Sequence, residues 1–254
     1  MKEYLKSILP HEILSKIGNR EMIEVSTHSK STVYRIGEDY YLKIDERHAL
    51  QEEVAMNRFL NDFHMGSKEI AYICADRDYF LTKALRGKAI HEQIQDPFAL
   101  SQSYGRALRK FHESLPTSSL QRLSPAFSLL LDLDLSDLRV NPDYLLKGFE
   151  LEVEDVWELV EARKELNRDY VIHSDPCLSN LIDDGTEARF IDLAGVGLGD
   201  RSYDLYWAIW SLSYNLGSEA FTDSFLDAYG RDWVEMDKIK LIAFLTACEM
   251  SERK

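Results

Sequence analysis

The residues best arranged for chemistry lie in Val171-Ile-His-Ser-Asp-Pro-Cys-Leu-Ser-Asn180 and, eleven residues on, in Ile191-Asp-Leu-Ala194. Asp175 is followed five positions later by Asn180, and Asp192 ends an apolar run. A carboxylate, an amide and a second carboxylate in this order suit the transfer of a phosphoryl group from ATP to a hydroxyl. Asp175 would orient the attacking hydroxyl and accept its proton, while Asn180 and Asp192 would hold the magnesium ion that bridges the phosphates.

The stretch reads H-S-D-x-x-x-x-N followed by D-L-A, against H-R-D-x-x-x-x-N and D-F-G in protein kinases. The first half keeps the spacing and the second keeps its Asp. Such a centre also needs a cation for the α- and β-phosphates and a partner to hold it. Lys43 lies in a strand-like run, Tyr41-Leu-Lys-Ile44, and Glu53 follows ten residues later on a helical stretch. Glu52 points about a quarter-turn away from Glu53 on an ideal helix, so Glu53 is the expected partner. The bland alternative makes Lys43 an edge-strand charge and both glutamates solvent-facing. Tyr41 shares a strand face with Lys43, where its ring would flank adenine or simply join the core. Thr82-Lys-Ala-Leu85 would offer backbone groups to the adenine edge, at Lys83 and Leu85. The polar loop 26–32 would cover the phosphates, although it has no glycine.

Three residues near this centre receive structural roles. His173 is expected to hold its loop by hydrogen bonds. Cys177 is expected to be a small packing residue, and Asp204 to cap a helix.

The elements that must position these groups follow from periodicity. A short helix is expected over 1–17, carrying Leu5, Ile8, Leu9, Ile13 and Leu14. Strands are expected at 23–25, 33–36, 40–44, 70–74 and 79–82, with a helix over 49–63 between the third and fourth. The first part of the chain thus reads as a small antiparallel sheet with one helix inserted. The rest is mainly helical. Leu100, Tyr104, Leu108, Phe111 and Leu115 mark one amphipathic helix before Pro116, and a second runs through Val156, Leu159, Val160 and Arg163. Short strands are expected at 170–173 and 189–193, with Asp183-Asp-Gly185 as a nearby turn. Three helices close the chain near 203–216, 218–229 and 236–250. The boundary between lobes falls at 84/85.

Composition narrows the class. The chain has 254 residues and a formal charge of −14, an acidity that argues against nucleic acid as a partner. Between Leu131 and Glu161 there are ten carboxylates against Arg139 and Lys147. That stretch is either a solvated surface or a field that draws in a cationic substrate. Three dispersed cysteines, a charged N-terminus and no apolar run of bilayer length point to a cytoplasmic protein without membrane contact. Monomer and homodimer both remain open.

On these residues the chain resembles the aminoglycoside phosphotransferases, in particular the 3′-phosphotransferases (kanamycin kinases), nearly end to end. Val171-Ile-His-Ser-Asp-Pro-Cys-Leu-Ser-Asn180 is similar to that family's His-Gly-Asp…Asn loop. Phe190-Ile-Asp-Leu-Ala-Gly-Val-Gly-Leu-Gly-Asp-Arg-Ser-Tyr-Asp204 is similar to its magnesium-binding segment and following helix. Val33-Tyr-Arg…Tyr41-Leu-Lys43, Leu50-Gln-Glu-Glu53 and Asp232-Trp233…Lys238-Ile-Lys240 resemble its nucleotide-lobe strands, first helix and last helix.

The resemblance implies an α+β, protein-kinase-like, two-lobe fold. A small antiparallel β N-lobe with one helix (1–84) would bind nucleotide, and a larger, mainly helical C-lobe (85–254) would carry catalysis and substrate. It implies ATP and Mg2+ as cofactors and an aminoglycoside-like cationic acceptor. It also implies Asp175 as base, Asn180 and Asp192 on the metal, Lys43 with Glu53 on the phosphates, Tyr41 stacked on adenine and Ser29 near the β-phosphate. Asp143 fits the acids that grip the acceptor, and Glu249 stands in on the last helix. The chain departs from the family in having Ser174 for Gly, Tyr214 where a late-helix acid is expected, and no acidic pair at its C-terminal end. Kinases of choline, homoserine, methylthioribose or macrolides share the H-x-D-x-x-x-x-N pattern. A nucleotide-binding pseudokinase is the further alternative.

Overall fold

The computed structural model describes residues 8–26, 31–93, 95–136, 139–149 and 156–252, and the chain divides into two compact units, 1–86 and 87–254. Leu5 and Ser29 lie outside the described residues.

In the first unit, helix α1 (His11–Ile17) precedes β1 (Met22–Glu24), β2 (Thr32–Ile36) and β3 (Tyr40–Glu46). Helix α2 (Gln51–Asp62) then leads to β4 (Glu69–Cys74) and β5 (Arg77–Lys83). The strands form one antiparallel sheet in the order β1-β2-β3-β5-β4. Alternation along β3 and β5 separates two faces. Leu42, Ile44, Tyr79 and Leu81 join Leu9, Ile13 and Ile17 in one apolar cluster. Phe80 packs with Leu50 and Val54 at the start of α2, on the other side. Lys43 stands opposite Phe80 in the β3–β5 register and therefore faces α2. The Leu50 N–H donates to Asp78 Oδ2 at 2.9 Å, which pins the start of α2 to the sheet and sets Glu53 against Lys43.

In the second unit the elements run β6 (Lys88–Ala89), α3 (Pro97–Ser114), α4 (Pro125–Asp132), α5 (Val156–Lys164), β7 (Tyr170–Ile172), β8 (Leu181–Asp183), β9 (Ala188–Phe190), β10 (Gly197–Gly199), α6 (Arg201–Leu216), α7 (Thr222–Tyr229) and α8 (Met236–Glu252). Asp96 caps α3 by accepting from the Phe98 and Ala99 N–H groups, with Pro97 at the first turn. Gly105 lets α3 and α7 close together, because a Cβ there would lie 2.4 Å from the Phe225 carbonyl oxygen.

Three features differ from the sequence expectations. Two further short strands, β8 and β10, complete the local pairing where none was expected: β7 pairs with β10, and β9 pairs with β8 around the 183–187 turn. Helix α4 arises from Pro125-Ala-Phe-Ser-Leu-Leu-Leu-Asp132, capped by Ser124, where no element was expected. The segment 219–221 is a 3-10 turn ahead of α7 rather than part of it.

Candidate active site

The first unit presents its cation as the strand pattern requires. Lys43 Nζ meets Glu53 Oε2 at 2.6 Å, with side chains 17 % and 11 % exposed. A pair this sheltered holds the ammonium in one place. Tyr41, on the same face of β3, is 39 % exposed, so it is not a core tyrosine. In the 82–85 segment the Lys83 N–H donates to the Lys68 carbonyl at 2.8 Å and the Ala84 N–H to the Asp39 carbonyl at 2.7 Å. The Lys83 N–H is therefore already engaged. Leu85 is half-buried.

In the second unit, β7 delivers the chain into His173-Ser174-Asp175, and that turn is held from behind. The Asp204 carboxylate, fully buried in α6, accepts the His173 N–H at 2.6 Å and the Ser174 N–H at 2.8 Å. It also accepts from His112 Nε2 of α3 at 3.0 Å, while His112 Nδ1 meets the Tyr229 hydroxyl at 2.8 Å. A buried carboxylate with these donors satisfied on both oxygens is a strong anchor. Tyr104 adds a hydroxyl donated to the Pro176 carbonyl.

The same loop is tied forward to the Asp192 segment. His173 Nε2 lies 3.0 Å from the Ile191 carbonyl, and its Nδ1 accepts the Asp175 N–H at 3.3 Å. That pattern assigns the ring as neutral with the proton on Nε2. The Ile191 N–H donates to the Asn180 carbonyl at 2.8 Å. The Asn180 amide donates to Asp175 Oδ2 at 2.9 Å and to its backbone carbonyl at 3.0 Å. Asp175 and Asn180 are thus bonded directly, and Asp192 follows a residue whose backbone is tied to both Asn180 and His173. With its N–H groups turned to Asp175, Asn180 presents Oδ1 on its other side. Asp192 adopts φ 60 and ψ 67, a left-handed conformation that Asp tolerates and that recurs at functional positions.

Ser174 also has a positive φ, 73°. Its hydroxyl donates to the Gly195 carbonyl at 2.7 Å and contacts the Ser124 hydroxyl at the start of α4. A Cβ on Gly195 would sit 3.0 Å from the Ser174 Cβ, a tight contact that glycine avoids. Arg122 closes the segment from outside, donating to the Ala194 and Val196 carbonyls, each at 2.9 Å. Burial, reinforced by the adjacent Asp175 carboxylate, pushes the Cys177 thiol well up from its ordinary range. It stays protonated and unreactive, in keeping with a packing role.

Asp143 lies exposed in the 3-10 turn Pro142–Tyr144. That turn is anchored on α8 by the Asn141 N–H to the Ala247 carbonyl at 2.9 Å. Glu249 is half-buried two residues beyond Ala247, so the two expected acceptor residues come from adjoining segments.

The sequence reading missed the anchor. Asp204 is not a helix cap; Asp200 is, accepting the Ser202 N–H at 2.9 Å. The available signal was a carboxylate on the same helical face as Ala208 and Leu212, both buried, where a lone charge must have partners. His112 gave the same kind of signal beside Leu108 and Phe111 on α3.

For magnesium, the test is the donor set. Asn180 Oδ1 and the Asp192 carboxylate are hard oxygen donors, few in number. Magnesium takes such a set when substrate phosphates and water complete its octahedron, so these residues fit the ion.

Comparison with known proteins agrees with the geometry. The family model described as "Phosphotransferase enzyme family" matches residues 23–239. A probable aminoglycoside 3′-phosphotransferase of Lactococcus lactis subsp. lactis is 30% identical over 249 residues, covering 95% of this chain and 94% of that protein. An aminoglycoside 3′-phosphotransferase of Niallia circulans is 29% identical, covering 91% and 94%. Among solved structures, an aminoglycoside-3′-phosphotransferase of type VIII superposes with a TM-score of 0.67 at 20% identity, covering 97% of this chain and 98% of that one. A choline/ethanolamine kinase family protein from Mesorhizobium loti superposes at 0.65 and 16% identity, covering 97% and 82%. These neighbours share the kinase-like α+β fold, with an antiparallel first unit and a mainly helical second. With its family match spanning most of its length, the chain belongs to the phosphotransferase enzyme family.

Proposed function

We propose that this protein transfers the γ-phosphoryl group of ATP to a hydroxyl of a small cationic acceptor, an aminoglycoside at a 3′-type position, and so confers resistance in the cytoplasm. The observation that carries the proposal is the Asp175 carboxylate, held at 2.9 Å by Asn180 on a loop pinned from behind by Asp204. A rigid, exposed carboxylate beside two oxygen donors can orient a hydroxyl and take its proton as the bond to phosphorus forms.

In the first unit, the proposed nucleotide-binding part, Lys43 held by Glu53 offers the charge that the α- and β-phosphates take, and Tyr41 offers a ring face to adenine. In the second unit, proposed for catalysis and acceptor binding, Asn180 and Asp192 would hold magnesium, which when bound neutralises charge building on the phosphates. Asp143 and Glu249 would meet the acceptor's ammonium groups. No helix among the described residues is long and apolar enough to cross a membrane.

The test is a coupled nucleotide-hydrolysis screen of the purified protein against an aminoglycoside panel, with choline, homoserine, methylthioribose and macrolides as comparison acceptors. ADP release stimulated by aminoglycosides supports the assignment. Stimulation by one of the other acceptors alone, or by none, refutes it.

A further inference from the structure

Helix α6 places Trp207, Trp210 and Tyr214 along one side, and the turn Pro142–Tyr144 adds a fourth ring. Tyr144 stacks on Trp210 with centroids 5.8 Å apart and planes inclined by 11°. Trp210 stacks in turn on Tyr214 at 5.1 Å, again inclined by 11°. The base of this column is fixed at both edges. The Trp210 indole N–H donates to the Asp143 carbonyl at 3.3 Å, and the Tyr206 hydroxyl donates to the Tyr144 carbonyl at 2.6 Å. Tyr214 ends the column and is 75 % exposed. One face of its ring is held by Trp210, and the rest of a large apolar plane is left to solvent in a fixed orientation.

The helix that carries the column is tied to the Asp175 loop. Ser211, which lies between Trp210 and Tyr214 in the chain, accepts the Leu178 N–H at 3.0 Å. Leu178 follows Asp175 by three residues, and Tyr214 is about 4.5 Å further along the helix axis from Ser211. The Asp143 carboxylate is exposed on the turn that carries Tyr144. An aromatic plane with a negative face, on a column whose base turn carries an exposed carboxylate, suits a saturated ring that bears ammonium groups: its C–H bonds would lie on the plane and its cations would meet quadrupole and carboxylate.

We infer that Tyr214, backed by Trp210 and Tyr144, is a stacking platform that seats an amino-sugar or aminocyclitol ring of the acceptor, with Asp143 as its ionic partner. This rests on the functional reading above and deepens it, since ring shape as well as charge then selects the acceptor.

The test compares wild type, Tyr214→Ala and Tyr214→Phe in steady-state assays with Mg-ATP and kanamycin, each variant first checked for an unchanged melting temperature. Tyr214→Ala raises KM for kanamycin roughly three- to tenfold and leaves kcat and KM for ATP within about twofold. Tyr214→Phe, which keeps the ring, stays near wild type. A KM for kanamycin unmoved by Tyr214→Ala, or one that moves only together with the KM for ATP, overturns the platform while leaving the phosphotransferase reading in place. A wild-type protein that turns over no aminoglycoside overturns the functional reading and the platform with it.

Discussion

The most demanding consequence of the structure concerns Asp204, which touches no reacting atom. Asp204→Asn preserves shape but exchanges one acceptor oxygen for a donor. In wild type, Oδ2 accepts from His173 N–H and His112 Nε2, and Oδ1 accepts from Ser174 N–H. The least costly orientation keeps the amide oxygen at the Oδ2 position and turns the NH2 toward Ser174. That loses one charge-assisted bond and opposes two donors in a fully buried place, at a cost of about 2–4 kcal/mol. The loss is a large share of a typical folding free energy of about 5–15 kcal/mol, yet the domain should survive it. The displaced amide is that of Ser174, the residue preceding Asp175, so the carboxylate proposed to act on the acceptor also shifts. A displacement of about 1 Å lowers kcat by about 100-fold. Urea denaturation and steady-state kinetics read the two effects separately. The expected variant is destabilised by about 2–4 kcal/mol, with kcat reduced and KM for ATP nearly unchanged. Stability within about 0.5 kcal/mol of wild type, or a loss confined to ATP binding, would refute the anchoring argument.

Three further outcomes follow. Ser174 sits at φ 73°, where an L-residue is strained by about 1–2 kcal/mol and its two hydroxyl contacts offset that strain; Ser174→Ala should therefore cost about 2 kcal/mol while Ser174→Gly is close to neutral, and a Gly variant less stable than the Ala variant by denaturation contradicts this. A double-mutant cycle on Lys43→Met and Glu53→Gln should show a coupling above about 1 kcal/mol, because the 2.6 Å pair is largely sheltered from water, and additivity would mean that the two side chains do not hold each other. Cys177, its thiol raised by burial and by Asp175, should resist iodoacetamide at mildly alkaline pH in the folded protein and react in urea, as mass spectrometry of the labelled peptide would read; labelling at the unfolded rate in the native state contradicts that environment.

The parts of this molecule visible in the sequence are those fixed over short distances along the chain. Asp175 and Asn180 are five residues apart and bond directly. Strand alternation placed Tyr41 with Lys43, and helical spacing selected Glu53 over Glu52, which the 2.6 Å contact bears out. The antiparallel sheet with one inserted helix was legible for the same reason. What escaped is long-range. Asp204 finds His173 and His112 across 31 and 92 residues, and such pairings leave no period in the sequence. Strand β10, Gly-Leu-Gly, has little of the β-branched character that marks a strand, so its pairing with β7 could not be read. Helix α4 is eight residues long, too short for periodicity to stand out. The stacking of Tyr144 on Trp210 joins a turn to a helix 66 positions later, and nothing local in the chain announces it.

In the proposed function Asp175 is the group that orients and deprotonates the acceptor hydroxyl. Asp175→Ala, assayed with Mg-ATP and kanamycin and paired with a direct measurement of nucleotide affinity, tests it most directly. The expected result is a kcat lower by about 100- to 10,000-fold, with ATP affinity within about twofold of wild type because the carboxylate makes no demand on nucleotide binding. A kcat within about tenfold of wild type would contradict the assignment of chemistry to this loop.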